Sequence, residues 1–354
     1  MTGGRWELLR ALGAVADSPA DARATAAALG LEPASDAEHT DVFVLNCPPY
    51  ASVYLGPDGA LGGEGTDRAA GFWRAIGITP PAEPDHLTAL LALYASLGEA
   101  AAGTRRPATA AALDRTRAAL LAEHLQPWLP AYLDAVTDLE TPGLTAWAQL
   151  TRHAMSAESG SQPPPAQLPL ALREAPAPAG PDGRVGDLTA ALTTPVRSGI
   201  ILTRRRLAHG AAAAGVGHRI GERRYTLRAM LEQDPAATLD WLGHEAQRWE
   251  QQHASRGPGD AISRWWTARA AGTARFLRES AAAAGRHASQ GIQMSSCQGP
   301  GNGTAAREAG TVTPAPRRSP HQPTPPAWSA LIIVPGQVTV RPADGTVEVL
   351  ELGS

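Results

Sequence analysis

Leu87, Leu90, Leu91, Tyr94 and Leu97 fall at i, i+3, i+4, i+7 and i+10. That spacing returns each apolar side chain to one stripe of an α-helix, whereas in a strand it would scatter them over both faces. A helix with such a stripe must bury it against other helices. Other segments repeat the pattern. Ser18-Pro19-Ala20-Asp21 reads as a helix start, with Ser as cap, Pro at the first helical position and an acid near the positive end of the dipole. This helix is predicted to run through Ala-rich sequence to Gly30. Thr66-Asp67 opens a second helix carrying Phe72, Trp73 and Ile76, with Gly77 as its stop. The striped helix is expected to begin near Pro84, a further one to cover 111–125, and another to follow from Pro130 with Tyr132, Leu133 and Val136 inside. Helical patterns resume at Asp187 and continue to about Ala284; one of the clearer, over 236–249, carries Leu239, Leu242 and Trp249.

Composition sets what fills such a bundle. Hydrophobic residues are 43% of the chain, as in an ordinary globular protein, but aromatics are only 5% and nine of them are Trp. The core is therefore expected to be Leu and Ala with Trp as the large filler. The chain has no Lys, so all 31 basic residues are Arg. A phosphate-binding loop of the GxxxxGK[ST] kind is thereby excluded, and no convincing HExxH, GxSxG or GxGxxG occurs. No catalytic residue is assigned. The two cysteines, Cys47 and Cys297, exclude a disulfide scaffold and a CxxC metal pair, and no metal or cofactor is expected. The polar start lacks a following apolar segment, and no uninterrupted apolar run is long enough to span a bilayer. A cytoplasmic location without stable membrane insertion is expected.

Two composition breaks divide the chain. Residues 157–183 hold Pro163-Pro164-Pro165 and the run from Pro176 to Gly183, where missing amide donors oppose a helix. They are expected to form a linker or long loop between an N-terminal helical region, 1–156, and a second helical region, 184–288. Residues 289–354 form a tail rich in Gly, Pro, Ser and Thr and are expected to be largely disordered. Near its end, Leu331 to Val334 and Val338-Thr339-Val340 are β-branched, and Ala343-Asp344-Gly345 signals a turn before Val347, Val349 and Leu350, a pattern that permits a small hairpin.

Three short motifs carry the functional reading: Pro48-Pro49-Tyr50-Ala51-Ser52-Val53-Tyr54, Glu83-Pro84-Asp85-His86 and His124-Leu125-Gln126-Pro127-Trp128. Singly, each has an ordinary structural explanation: a rigid loop entering a helix, helix-start chemistry, and a helix–loop–helix junction. In this order and spacing they resemble the TorD/DmsD family of redox-enzyme maturation chaperones, whose members carry P-P-aromatic-x-S-V-[YW], then E-P-(x)-D-H, then H-L-x-P-W. Thr194 to Gly199 and Gly221-Glu222-Arg223-Arg224 resemble the second half of longer members more weakly. The resemblance covers roughly residues 5–285.

It implies an all-α helical bundle that is not an enzyme. It also implies a partner, the twin-arginine signal peptide of a molybdopterin oxidoreductase precursor, held until its cofactor is loaded. Carried over residue by residue, it points to a peptide-binding surface around Tyr50, Ser52, Tyr54, Asp85, His86, His124 and Trp128. The physics of the task is compatible. A cationic, partly apolar peptide calls for aromatic walls and carboxylates, with Tyr50, Tyr54, Trp73 and Trp128 as candidates for the first and Asp85 and Glu83 for the second.

Charge is divided in the same sense. Residues 1–150 carry 18 Asp and Glu against 9 Arg, while residues 197–228 carry eight Arg and one Glu. The basic stretch supports the alternative, a helix-turn-helix DNA-binding protein built on residues 197–228. On the preferred reading no nucleic acid is expected.

Overall fold

A computed structural model describes residues 3–161, 167–178, 185–256, 260–295, 337–340 and 348–351. Helices account for nearly all of this structure, and the all-α class read from the sequence holds. The first region comprises α1 (Gly3–Ala14), α2 (Pro19–Ala28), α3 (Asp36–His39), a wider π-helical segment (Thr40–Asn46), α4 (Ala51–Leu55) and α5 (Gly63–Ala75). There follow α6 (Leu87–Gly103), α7 (Pro107–Leu120), a second π-helical segment (Leu121–Leu125), α8 (Leu129–Thr137) and α9 (Pro142–Gly160). The remainder is α10 (Leu170–Arg173), α11 (Val185–Leu192), α12 (Pro195–Ser198), α13 (Arg204–Ala213), α14 (Arg223–Gln233), α15 (Pro235–Ala254) and α16 (Ala261–Ser295). A short hairpin pairs β1 (Gln337–Val340) with β2 (Glu348–Glu351) in antiparallel register, Val338 opposite Leu350. It lies where the alternating pattern permitted one; Leu331 to Val334 and the rest of the tail before β1 are outside the described residues.

Local chemistry explains most helix ends. Ser18 caps α2 by accepting from the Asp21 amide, and Gly30 and Gly77 take positive φ just beyond α2 and α5. Three starts differ from expectation. α5 begins at Gly63, a turn before Thr66, α6 begins at Leu87 rather than near Pro84, and α7 begins at Pro107, four residues before 111. The second shift has a clear cause: Pro84 and Asp85 are drawn away to other segments, leaving His86 as the cap. Leu87, Leu90, Leu91, Tyr94 and Leu97 are then all buried, as the stripe requires.

The helices pack α1 on α6, α6 on α7, α8 on α9 and α15 along α16. Tryptophan fills the centre as expected: Trp128, Trp147, Trp249 and Trp266 are fully buried. Three of these indoles also tie segments together, because Trp147 donates to the Leu12 carbonyl, Trp128 to that of His124 and Trp266 to that of Pro127, each at 2.8 Å. The last bond joins α16 to the loop before α8, and one apolar cluster runs from Trp6 to Leu277.

Residues 157–183, expected to be a linker or loop, are in part helical. Residues 157–160 finish α9, and α10 buries Ala171 and Leu172. Prolines at 163–165 could not extend α9, but nothing in the sequence before them stopped it. α16 likewise runs through 289–295, past the expected start of the tail.

Glu158 shows why the end of α9 is ordered. It is 3% exposed, and its carboxylate is paired with Arg5 of α1 and Arg117 of α7 while accepting from the Tyr94 hydroxyl at 2.8 Å. Arg5 and Arg117 also stack on Trp6, 4.6 and 5.3 Å from its ring centre. Trp6 in turn lies so close to α6 that a Cβ at Gly98 would meet its ring at 2.3 Å. Removing one partner of such a buried pair strands the other charges, so Glu158→Ala is expected to lower unfolding free energy by about 3 kcal/mol in a urea titration. Gly98→Ala is expected to cost about 1–3 kcal/mol in the same measurement, through overpacking against Trp6.

Candidate functional site

The three motifs meet. Pro48 and Pro49 hold the chain extended up to Tyr50, which forms an isolated antiparallel bridge with His86. Two backbone bonds close it, Ala51 N–H to the Asp85 carbonyl at 3.0 Å and Leu87 N–H to the Pro49 carbonyl at 2.8 Å. Pro49 has no amide to donate, but its carbonyl is used. The Asp85 side chain turns in the same direction. One carboxylate oxygen accepts from the Ser52 amide at 2.9 Å and the other from the Thr66 hydroxyl at 3.0 Å. One buried acid thus caps α4 from outside its own segment and fastens α5 to it. Trp73 of α5 donates to the Pro84 carbonyl at 3.1 Å, completing the seam.

The third motif packs beneath. Trp128 stacks on Tyr54 with 5.3 Å between ring centres and 12° between planes, and Tyr132 meets Tyr54 edge-on at 5.4 Å. His124 sits in the second π-helical segment against Phe72, 4.9 Å away. Burial is the main reason that His86 and His124 are both pushed down to about 4, with Arg68 adding to the effect at His124. The Nδ1 of His86 accepts from the Thr88 amide, so His86 serves as a neutral cap.

These contacts revise part of the expected site. Ser52, Tyr54, Asp85, His86, His124 and Trp128 are each at most 8% exposed. Tyr54 and Trp128 offer no surface as an apolar wall, since they are spent on one another. Asp85 already accepts with both oxygens and has no free face for an arginine. Tyr50 and Glu83 are the members of the set that reach solvent, both half-buried. Trp73, the other aromatic wall candidate, is buried as well. The Tyr50 ring lies edge-on to His86 at 4.6 Å, and its hydroxyl is held protonated first by burial and then by Glu83, with Asp85 and Asp17 adding. Asp17 was not anticipated: it acts on this hydroxyl from the link between α1 and α2. Its carboxyl is raised by burial and by Asp21. The surface of the site is therefore an aromatic edge rimmed by Asp17 and Glu83 over a rigid polar floor.

The basic stretch also differs from its alternative reading. A helix-turn-helix joins its helices by a turn of about three or four residues, whereas α13 ends at Ala213 and α14 begins at Arg223. Several of its arginines are engaged within the fold: Arg205 with Asp41, Arg206 with Glu245 and Arg228 with Glu232. Three of the eight arginines are thus paired with carboxylates inside the fold. Among the described residues no group of His, Cys, Asp and Glu could hold a metal ion, and no helix is long and apolar enough to cross a membrane.

Residues 7–134 match the family model of the nitrate reductase delta subunit, and all three motifs lie within that span. The resemblance to the TorD-type chaperones read from the motifs is thereby shown for this part of the chain; the family's members are redox-enzyme maturation chaperones. No curated protein matches the chain.

Asp85→Ala leaves the Ser52 amide and the Thr66 hydroxyl without an acceptor, and is expected to cost about 2–3 kcal/mol in urea unfolding. Acid should act through the histidines. The unfolded chain takes up protons near 6.5 that folded His86 and His124 refuse until about 4, so stability is expected to fall as pH drops through that window. His86→Asn, which keeps a capping group but does not titrate, should make the decline in urea midpoint between pH 7 and pH 5 shallower.

Proposed function

We propose that the chain is a cytoplasmic chaperone that binds the twin-arginine signal peptide of a molybdopterin oxidoreductase precursor and retains it while the cofactor is loaded. What supports this reading is the convergence of the three motifs, with Tyr50 and Glu83 left half-buried at the surface and Asp17 acting on the Tyr50 hydroxyl. Arginine is best received by carboxylates in bidentate geometry and beside aromatic rings, and these residues supply both kinds of group. The acidic balance of residues 1–150 favours approach of a cationic segment over longer range.

Roles divide by exposure. Glu83 is the carboxylate that meets an arginine, with Asp17 as its neighbour, and the Tyr50 ring covers the peptide's apolar stem. Ser52, Asp85 and His86 position Tyr50 through the bridge and the caps, and Tyr54, His124 and Trp128 support them from below. On this reading the chaperone acts by binding, and Val44 and Leu45, exposed a few residues before the double proline, are further apolar surface for the peptide's hydrophobic stretch.

Calorimetric titration with a synthetic twin-arginine signal peptide tests it, beside a control peptide with both arginines replaced by alanine. Saturable binding of the first and at least tenfold weaker binding of the second are expected. Glu83→Ala should weaken the twin-arginine peptide about tenfold without lowering the urea midpoint by more than a surface substitution does. Equal binding of the two peptides would remove the arginines from the site, and absence of binding to either would overturn the reading.

A further inference from the structure

The buried and half-buried arginines of this protein are, as a rule, matched to carboxylates. Arg5 and Arg117 share Glu158, Arg152 and Arg256 share Asp134, and Arg206 and Arg248 share Glu245. Arg197 and Arg269 instead donate to backbone carbonyls, and one further place departs from the rule. Arg223, the first residue of α14, is half-buried and makes one hydrogen bond, to the Leu202 carbonyl at 3.3 Å. Arg224 reaches only neutral acceptors, the Asp58 carbonyl at 2.9 Å and the Thr193 hydroxyl at 3.3 Å. Arg204, the first residue of α13, is exposed and bears on Arg223 as a like charge. None of the three has a carboxylate partner among the described residues.

Arg223 and Arg224 border a cleft of about 240 Å3, lined also by Asp58, Gly59, Ala60, Thr193 and Glu222. Two carboxylates are present, but Glu222 is turned into its own helix, accepting from the amides of Arg224 and Tyr225. Asp58 is the remaining opposing charge. Gly59 lets the loop close on this cleft, because it has φ of +62° and a Cβ there would meet the Thr194 backbone at 2.9 Å. Behind Arg223 the interior is polar as well. Its charge acts on Tyr54 and Cys47, and the buried hydroxyls of Tyr54 and Tyr132 have no protein partner.

We propose that this cleft binds a phosphate group, held by Arg223 and Arg224 with Arg204 as the flanking charge. One guanidinium suffices for a carboxylate in bidentate geometry, whereas two guanidiniums that form no ion pair, with a third positive charge bearing on them, match a dianion with three acceptor oxygens. The size agrees: pockets for whole small molecules run from about 300 to 1000 Å3, so a cleft of 240 Å3 takes a group, free or at the end of a larger molecule. The inference is independent of signal-peptide binding, since the cleft shares no residue with Tyr50, Glu83 or Asp17.

The test titrates the full chain with inorganic phosphate, phenyl phosphate and acetate at constant ionic strength, by calorimetry and by tryptophan fluorescence. Saturable phosphate binding is expected, weakened at least tenfold in Arg223→Gln and in Arg224→Gln and unchanged in Arg228→Gln. Arg204→Gln, at an exposed position where misfolding is not a concern, should weaken it about threefold. Phenyl phosphate binding more tightly than phosphate assigns the group to an ester of a larger molecule; phosphate binding as tightly or more so assigns it to the free ion. Acetate binding as tightly as phosphate, no saturable phosphate binding, or unchanged affinity in the folded Arg204, Arg223 and Arg224 variants would overturn the proposal.

Discussion

The Asp85 carboxylate is the contact on which the motif region depends. It lies on the short link before α6, yet both its oxygens are used elsewhere, on the Ser52 amide of α4 and on the Thr66 hydroxyl of α5. α4 is five residues long, too short to be stable by its own hydrogen bonds. It persists because a carboxylate caps it from outside and because all five of its residues are buried. The bridge between Tyr50 and His86 follows from the same placement, since Asp85 cannot reach Ser52 unless the two segments run side by side. A motif of Pro, Asp and His at a helix start thus does two jobs, and only one of them, the capping of α6 by His86, belongs to that helix.

Arginine chemistry dominates the remaining polar contacts. With no lysine in the chain, the buried acids other than Asp85 face planar, forked donors, and Glu158, Asp134 and Glu245 each hold two of them. Such clusters join elements that the apolar core alone would leave free to slide: α1 and α7 to α9, α8 to α9 and the end of α15, α13 to α15. Burying charge is costly, and replacing a buried pair with hydrophobic residues is often neutral or stabilising. What these clusters supply is register, a direction-dependent fit that a Leu- and Ala-rich interface does not provide.

Much of this architecture was legible in the sequence. The 3.6-residue stripes gave the helical class, Ser18 and Gly30 marked the limits of α2, and the tryptophans went where large fillers were needed. The site was legible as a location and less so as a surface. Spacing brought Tyr50, Asp85 and Trp128 to attention, but burial is a tertiary property, and no local pattern says that Tyr54 stacks on Trp128 or that Asp85 has spent its lone pairs. The sequence does not single out Asp17, and shows Arg223 only within a weak resemblance and a basic stretch, for the same reason: each acts on groups distant in sequence. The end of α9 misled in the opposite direction, because the prolines at 163–165 advertise a break several residues after the helix has already done its work through Glu158.

The division between floor and rim has a consequence for how the protein can recognise a peptide. Tyr54, Trp128 and Tyr132 form a close-packed node whose members also anchor α16, through the Pro127 carbonyl and Trp266. Packed interiors do not deform continuously; they hold one arrangement or switch to another. A peptide that met this node directly would have to break it. A peptide that meets Tyr50 and Glu83 need only select among rotamers of two half-buried side chains, while the backbone beneath them stays fixed by Asp85 and His86. On the proposed function, the motif residues would matter to binding chiefly by fixing the bridge on which two half-buried side chains, Tyr50 and Glu83, stand. Substitutions at the floor and at the rim should differ in kind, the first acting through stability and the second through affinity.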